Sequence, residues 1–115
     1  MLSRKYKLKR DNDFKRVFRQ GRYYQEDFIK LKILENNLKI NRFAFVVGLK
    51  ISKKAVKRNK IRRQLDVVSQ QEFDRIKPGF DIIVLPSPEI LGKDYQVIKK
   101  TLINLFKKAK ILWDS

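Results

Sequence analysis

The chain contains no cysteine and no histidine. Without cysteine there is no disulfide, no thiolate nucleophile and no cysteine-based zinc site. Without histidine the commonest general base and the commonest metal ligand are missing together. Any chemistry would have to rest on carboxylates, lysines or tyrosines, and carboxylates are scarce: 12 Asp and Glu stand against 29 Lys and Arg. Those acids are scattered, and the one adjacent pair, Glu26-Asp27, would point to opposite faces of a strand. A two-metal nuclease needs several convergent carboxylates, so a self-sufficient nuclease is disfavoured. Long apolar runs are missing too. No stretch approaches the roughly eighteen residues of a membrane span, and the basic start, Met1 to Arg10, leads into no apolar signal region. A cytoplasmic protein without a membrane partner is the expectation.

What remains is charge. The formal net charge is +17 and the pI near 10.3, above the level of about 9 that marks many nucleic-acid-binding domains. The competing reading of such a balance is a secreted cationic protein acting on membranes, which nothing else in the chain supports. At 115 residues the chain has the size of a single domain with one core. The charge is densest from Lys53 to Arg63, where seven positive residues fall within eleven and no acid interrupts them. Like charges one helical turn apart destabilise a helix by a few tenths of a kcal/mol per pair. A run this one-sided calls for an outside partner, and a phosphate backbone is the usual one.

Periodicity organises the rest into 1–115 as one domain, with no repeat, linker or low-complexity segment. Residues 1–10 read as a basic, extended arm. Asp11 or Asn12 can cap a short helix to Gln20 whose Phe14, Val17 and Phe18 share one face, with Gly21 as a left-handed cap. Residues 27–34 alternate, placing Ile29, Leu31 and Ile33 on one side and Lys30 and Lys32 on the other, as in a half-buried strand. Arg42 to Ile51 is a second, nearly continuous apolar strand, and the short loop between the two predicts an antiparallel pair. Ser52 is placed to cap the basic run as a helix, with Ile61, Leu65 and Val68 as its buried stripe. Lys77-Pro78-Gly79 turns into a third strand, Phe80 to Leu85, and a last amphipathic helix runs from Asp94 to Trp113. The order α-β-β-α-β-α implies a small α+β sandwich. The crossover hand is open on this pattern, although right-handed connections are the general rule.

Two constellations carry function. On the basic helix Arg58 and Arg62 lie one turn apart, with Asn59 and Arg63 in the adjacent row. Both rows stand to one side of the buried stripe, as a band of guanidinium groups and one amide. Arginine suits phosphate oxygens because its planar fork donates two hydrogen bonds at once. The plainer account is a solvated basic face. The second constellation is Phe14 and Phe18, which either hold the first helix to the sheet or leave an edge open for stacking single-stranded bases, with Lys30 and Lys32 supplying charge beside them. Stacking is worth roughly 1–3 kcal/mol per base.

Asp13-Phe14-x-x-Val17-Phe18-x-x-Gly21, then Val47-Gly48-Leu49-x-Ile51-Ser52-Lys53-Lys54, then Ala55-Val56-x-Arg58-Asn59-x-Ile61-Arg62-Arg63 together resemble the protein subunit of bacterial ribonuclease P. The resemblance covers about residues 4 to 112. It implies an α+β sandwich with a central mixed sheet and a left-handed βαβ crossover, like the second domain of ribosomal protein S5. It also implies a non-catalytic partner of an RNA enzyme that removes the 5′ leader of precursor tRNA, with Mg2+ bound and used through the RNA. Lys53, Lys54, Lys57, Arg58, Asn59, Lys60, Arg62 and Arg63 would then dock on the catalytic RNA, and Phe14, Phe18, Lys30 and Lys32 would line the leader cleft. The protein would be a monomer within that complex. The turn before Ala55 is shorter than is usual in the family, and Asp66, where relatives commonly carry a basic residue, can pair with Arg62 or Arg63 and hold their side chains partly away from RNA.

Overall fold

The computed structural model describes residues 2–113. Helix α1 (Asp11–Gln20) follows its apolar period: Val17 is fully buried, while Phe18 on the flank of the same face remains 44% exposed. Asp11 and Asp13 in its first turn complement the helix dipole, and Arg10 rather than an acid occupies the cap position. Gly21 does end the helix, but with φ −72° and ψ 154° it is extended, not left-handed. Its requirement is steric. A Cβ there would collide with the Val17 carbonyl and come within 3.0 Å of the Ile33 carbonyl oxygen.

Four strands follow rather than three. β1 (Arg22–Glu26) and β2 (Ile29–Glu35) form a hairpin across Asp27-Phe28, with Asp27 at φ 48°. The sequence pattern did not announce β1, because tyrosines are its only large apolar groups and it ends on acids. β3 covers only Arg42–Phe45, and the predicted pairing of β2 with β3 is not found. β4 (Phe80–Pro86) lies between them, antiparallel to β2 and parallel to β3, so the sheet order is β1-β2-β4-β3. Burial explains the exchange. Ile82, Ile83 and Val84 are fully buried and fill both faces of β4, as a central strand requires. In the longer run expected for β3, the Val46 amide makes a last bond to the Val84 carbonyl at 2.9 Å, and beyond it the chain leaves the sheet with Leu49 exposed. Asn41 pins the start of β3 beside β4, accepting from the Phe80 amide at 2.8 Å and donating to the Lys77 carbonyl at 2.9 Å.

α2 (Ala55–Gln71) connects the parallel neighbours β3 and β4, and α3 (Tyr95–Lys108) closes the chain. Ser52 is not the cap of α2. Its Oγ accepts from the Lys54 amide at 3.1 Å, a local turn that uses the hydroxyl before the helix begins at Ala55. Asp94 does cap α3, accepting from the Val97 amide at 2.9 Å, and the helix stops at Lys108 rather than Trp113 because Lys110 turns the chain at φ 58°. One face of the sheet, with Ile29, Leu31, Ile33, Phe43, Ile82 and Val84, packs under the α2 stripe of Ile61, Leu65 and Val68 and the α3 row of Ile98, Leu102, Leu105 and Phe106. The opposite face carries a smaller cluster of Ala44 and Ile83 with Val17 and Leu8 beneath α1. The sheet is therefore α+β and mixed, with one face fully covered and the other only in part.

The N-terminal segment is docked, not a free arm. Arg4–Tyr6 form a 3-10 turn, Leu2 and Leu8 are buried, and the Leu8 amide donates to the Phe43 carbonyl at 2.8 Å along the outer edge of β3. Tyr6 packs against Phe73 with ring centroids 4.7 Å apart. An edge strand that would otherwise offer free backbone groups is thereby covered.

Candidate nucleic-acid interface

The basic run divides into three places. Lys53 and Lys54 lie in the loop before α2, exposed. Arg58 and Arg62 point toward that loop and help to hold it. Arg58 Nη1 donates to the Ser52 carbonyl at 2.9 Å, and Arg62 Nη2 donates to the Val47 carbonyl at 3.2 Å. Arg62 Nη1 also donates to Asn59 Oδ1 at 2.6 Å. The expected band of free guanidinium groups is thus half structural, although each arginine keeps further N–H donors. Lys57, Lys60 and Arg63 lie on the outer part of the helix, exposed, and none joins an ion pair among the described residues. Leu49 and Val56, 70% and 78% exposed, stand in the same loop and first turn.

Asp66 does not pair with Arg62 or Arg63. It is buried, and its Oδ1 accepts from the Leu2 amide at 2.9 Å. Its helical position, one turn beyond Arg62, turns it toward the docked N-terminal segment rather than toward solvent. The acid that looked like a brake on RNA binding is the anchor of residues 2–8.

The partly covered face of the sheet holds the second constellation. A hollow of about 260 Å3 is bounded by Lys7, Leu8 and Lys9, by Phe14 of α1, by Ala44 and Val46, and by Arg62 and Asp66 of α2. Phe14 is half-buried against Leu8, Val17, Ala44 and Ile83, so it is both core and wall. Phe18 does not line this hollow. It stands exposed beside β2, where Lys32 Nζ lies 3.4 Å from its carbonyl oxygen. Lys30 is exposed on the same side of β2, because Ile29, Leu31 and Ile33 take the other side. Tyr23, opposite Lys32 in the register and 50% exposed, adds an aromatic that sequence reasoning missed along with β1. Arg62, assigned from sequence to the helix surface alone, also reaches this hollow. Lys7 and Lys9 join it because the N-terminal segment is docked. Only the β-alternation of Leu8 between two lysines could have suggested that.

A buried charge cluster sets the position of α1. Arg42 Nε and Nη2 both donate to the Asp81 carboxylate at 2.7 Å, and Arg42 Nη1 reaches Asp13 Oδ2 at 3.3 Å. Asn36 Nδ2 donates to Asp81 Oδ1 at 2.9 Å. The hydrogen bonds to Asp81, opposed by burial, raise the Arg42 pKa above its ordinary value. Its contribution to stability is present below the unfolded value and would be lost only as pH rose through the still higher folded one, so this arginine is charged at every physiological pH. Bidentate Arg–carboxylate geometry ties β3, β4 and α1 together.

Comparison with known proteins bears on this geometry. The family model described as Ribonuclease P matches residues 2–110. The chain belongs to the ribonuclease P protein family. The ribonuclease P protein component of a Pseudanabaena species is 35% identical, with 97% of each chain covered. That of Natranaerobius thermophilus is 38% identical over 91% of this chain and 90% of its own length. Among solved structures, the ribonuclease P protein of Thermotoga maritima superposes with a TM-score of 0.81 at 27% identity, covering 89% of this chain and 96% of that one. The Staphylococcus aureus protein does so with a TM-score of 0.86 at 25% identity, over 93% and 97%. The chain is therefore a subunit of the ribonuclease P ribonucleoprotein, a tRNA-processing endoribonuclease, and associates with its RNA. Among the described residues no group of three or more acidic side chains is placed to hold a metal ion. No helix among them is long and apolar enough to cross a membrane.

Proposed function

We propose that this ribonuclease P subunit holds two RNAs at once and leaves the hydrolysis to the RNA. The catalytic RNA docks on the loop before α2 and on its N-terminal turns, through Lys53, Lys54, Lys57, Lys60 and Arg63, with Arg58, Asn59 and Arg62 shaping that surface and adding donors. The single-stranded 5′ leader of precursor tRNA lies on the partly covered sheet face, along Phe14, Phe18, Lys30 and Lys32. One observation carries the reading: the hollow that Phe14 and Arg62 share lies at the flank of the helix whose outer side holds three cations without an ion-pair partner among the described residues. Substrate and catalytic RNA can thus meet the protein on adjoining surfaces.

Arg62 donates to Asn59 Oδ1, and a guanidinium can only donate, so the Asn59 carbonyl faces inward and its NH2 outward. Asn59 accordingly offers donors to an RNA acceptor such as a phosphate, a 2′-hydroxyl oxygen or a base edge. The lysines and arginines replace condensed counterions on the RNA, which lowers the Mg2+ the RNA needs to fold and to bind substrate. Mg2+ is held by RNA in this scheme, and this chain's residues neutralise and position.

Reconstitution with a ribonuclease P RNA tests the reading. At limiting Mg2+, adding the chain should raise cleavage of a leader-bearing tRNA precursor by at least about tenfold, the effect of about 1.4 kcal/mol. No stimulation at any Mg2+ concentration, with the protein shown to be folded, would contradict it.

A further inference from the structure

A second groove lies on the flank of α2 turned away from the hollow at Phe14. Lys57, Lys60, Ile61 and Gln64 form one wall, and Ile90, Leu91, Gly92, Lys93 and Ile98 form the other, around a hollow of about 300 Å3. It continues into a shallower one of about 390 Å3 between Lys60, Arg63, Gln64, Val67 and Tyr95. None of the lining residues is acidic. The floor is apolar, since Ile61, Ile90 and Ile98 are buried, and the half-buried Tyr95 ring and the 39% exposed Leu91 stand on the rim. Lys57, Lys60 and Arg63 have no ion-pair partner among the described residues, and Lys93 lies 5.7 Å from the Phe28 ring with no carboxylate bound.

From this geometry we infer that the groove between α2 and the segment leading into α3 binds one unpaired nucleotide of the catalytic RNA, with its base on the apolar floor and its flanking phosphates on Lys57, Lys60, Arg63 and Lys93. The inference rests on the proposed docking of α2 on that RNA and adds a site to it. A duplex backbone needs cations alone, whereas a concave apolar floor with an aromatic rim suits the face of an unstacked base. The amide of Gln64, on the wall between the two hollows, can donate to and accept from a base edge. The occupant is catalytic RNA and not leader because the two sites lie on opposite flanks of a helix about 10 Å across. A leader strand in the hollow at Phe14 would have to climb over α2 to reach this one.

The absence of cysteine gives a clean probe, because Leu91→Cys introduces the sole thiol. Labelled with an aryl azide and assembled into holoenzyme with precursor tRNA, it should crosslink to the catalytic RNA at a nucleotide that is unpaired in the RNA's secondary structure. Lys93→Gln, an exposed residue outside α2, should weaken assembly about threefold to tenfold and lower the log–log salt slope by about one contact. The ratio of precursor to mature tRNA affinity should not change. Crosslinks confined to precursor tRNA or to paired nucleotides overturn the inference, as does wild-type assembly by Lys93→Gln without any crosslink. If the unmodified chain fails to assemble with the RNA, the proposed function falls with it. Normal assembly by the unmodified chain with a silent groove overturns the groove alone.

Discussion

Two arginines on one helix have different duties, and the difference is measurable. Arg63 is exposed and without an ion-pair partner among the described residues, whereas Arg58 is half-buried and donates to the Ser52 carbonyl. Arg63→Ala should weaken assembly with the RNA and flatten its salt dependence by roughly one phosphate contact, with no change in thermal stability. Arg58→Ala should do both: it loses a contact and also releases the loop that carries Lys53 and Lys54. Binding titrations across salt concentrations, beside thermal melts of the free protein, separate the two. Arg42 belongs wholly to the structure. Arg42→Ala leaves the buried Asp81 carboxylate without its bidentate partner and should cost about 3–5 kcal/mol in denaturant unfolding. A loss under 1 kcal/mol would show that the cluster does not hold α1 in place.

At the scale of elements, the docked N-terminal segment builds one wall of the proposed leader hollow, and the buried Asp66 carboxylate fixes its start at Leu2 beside the Leu8 and Tyr6 contacts. Asp66→Ala should release residues 2–8, seen as faster amide exchange at Leu2 and Leu8, and should weaken precursor tRNA binding through loss of the wall formed by Lys7 and Lys9. Unchanged exchange would contradict the anchoring. The elements differ in how openly the sequence displays them. The stripes of α2 and α3 and the alternation in β2 were readable because one buried face imposes a strict period. Asp66 misled because a surface ion pair and a buried backbone anchor use the same residue type, and only the fold says which way the helix turns it. Strand order misled for a similar reason. A short loop favours a hairpin, but the fully apolar β4 takes the central place and displaces β3 to the edge. Phe14 and Phe18 share a helical face in the sequence, but the structure parts them into a hollow wall and an exposed flank, a division that depends on where α1 crosses the sheet. The Arg42–Asp13 contact, with Arg42 itself held by Asp81, joins residues distant in sequence and ties α1 to the sheet.

For the molecule as a whole, the mixed sheet with one face covered and one half-open gives a chain of 115 residues room for the two proposed RNA surfaces. The covered face supplies stability, and α2 stands at the border, its buried stripe in the core and its cations outside. A net charge of +17 then brings RNA to both surfaces without choosing between them, and the choice falls to the local shapes. The most direct test of this division compares Phe18→Ala with Arg63→Ala in one holoenzyme, measuring affinity for the catalytic RNA, for precursor tRNA and for mature tRNA. Phe18→Ala should leave assembly intact and reduce precursor affinity relative to mature by roughly 1 kcal/mol, the loss of one stacked base. Arg63→Ala should weaken assembly and leave the precursor-to-mature ratio intact once the holoenzyme is saturated. Equal losses for precursor and mature tRNA with Phe18→Ala, or a changed ratio with Arg63→Ala, would contradict two separate surfaces.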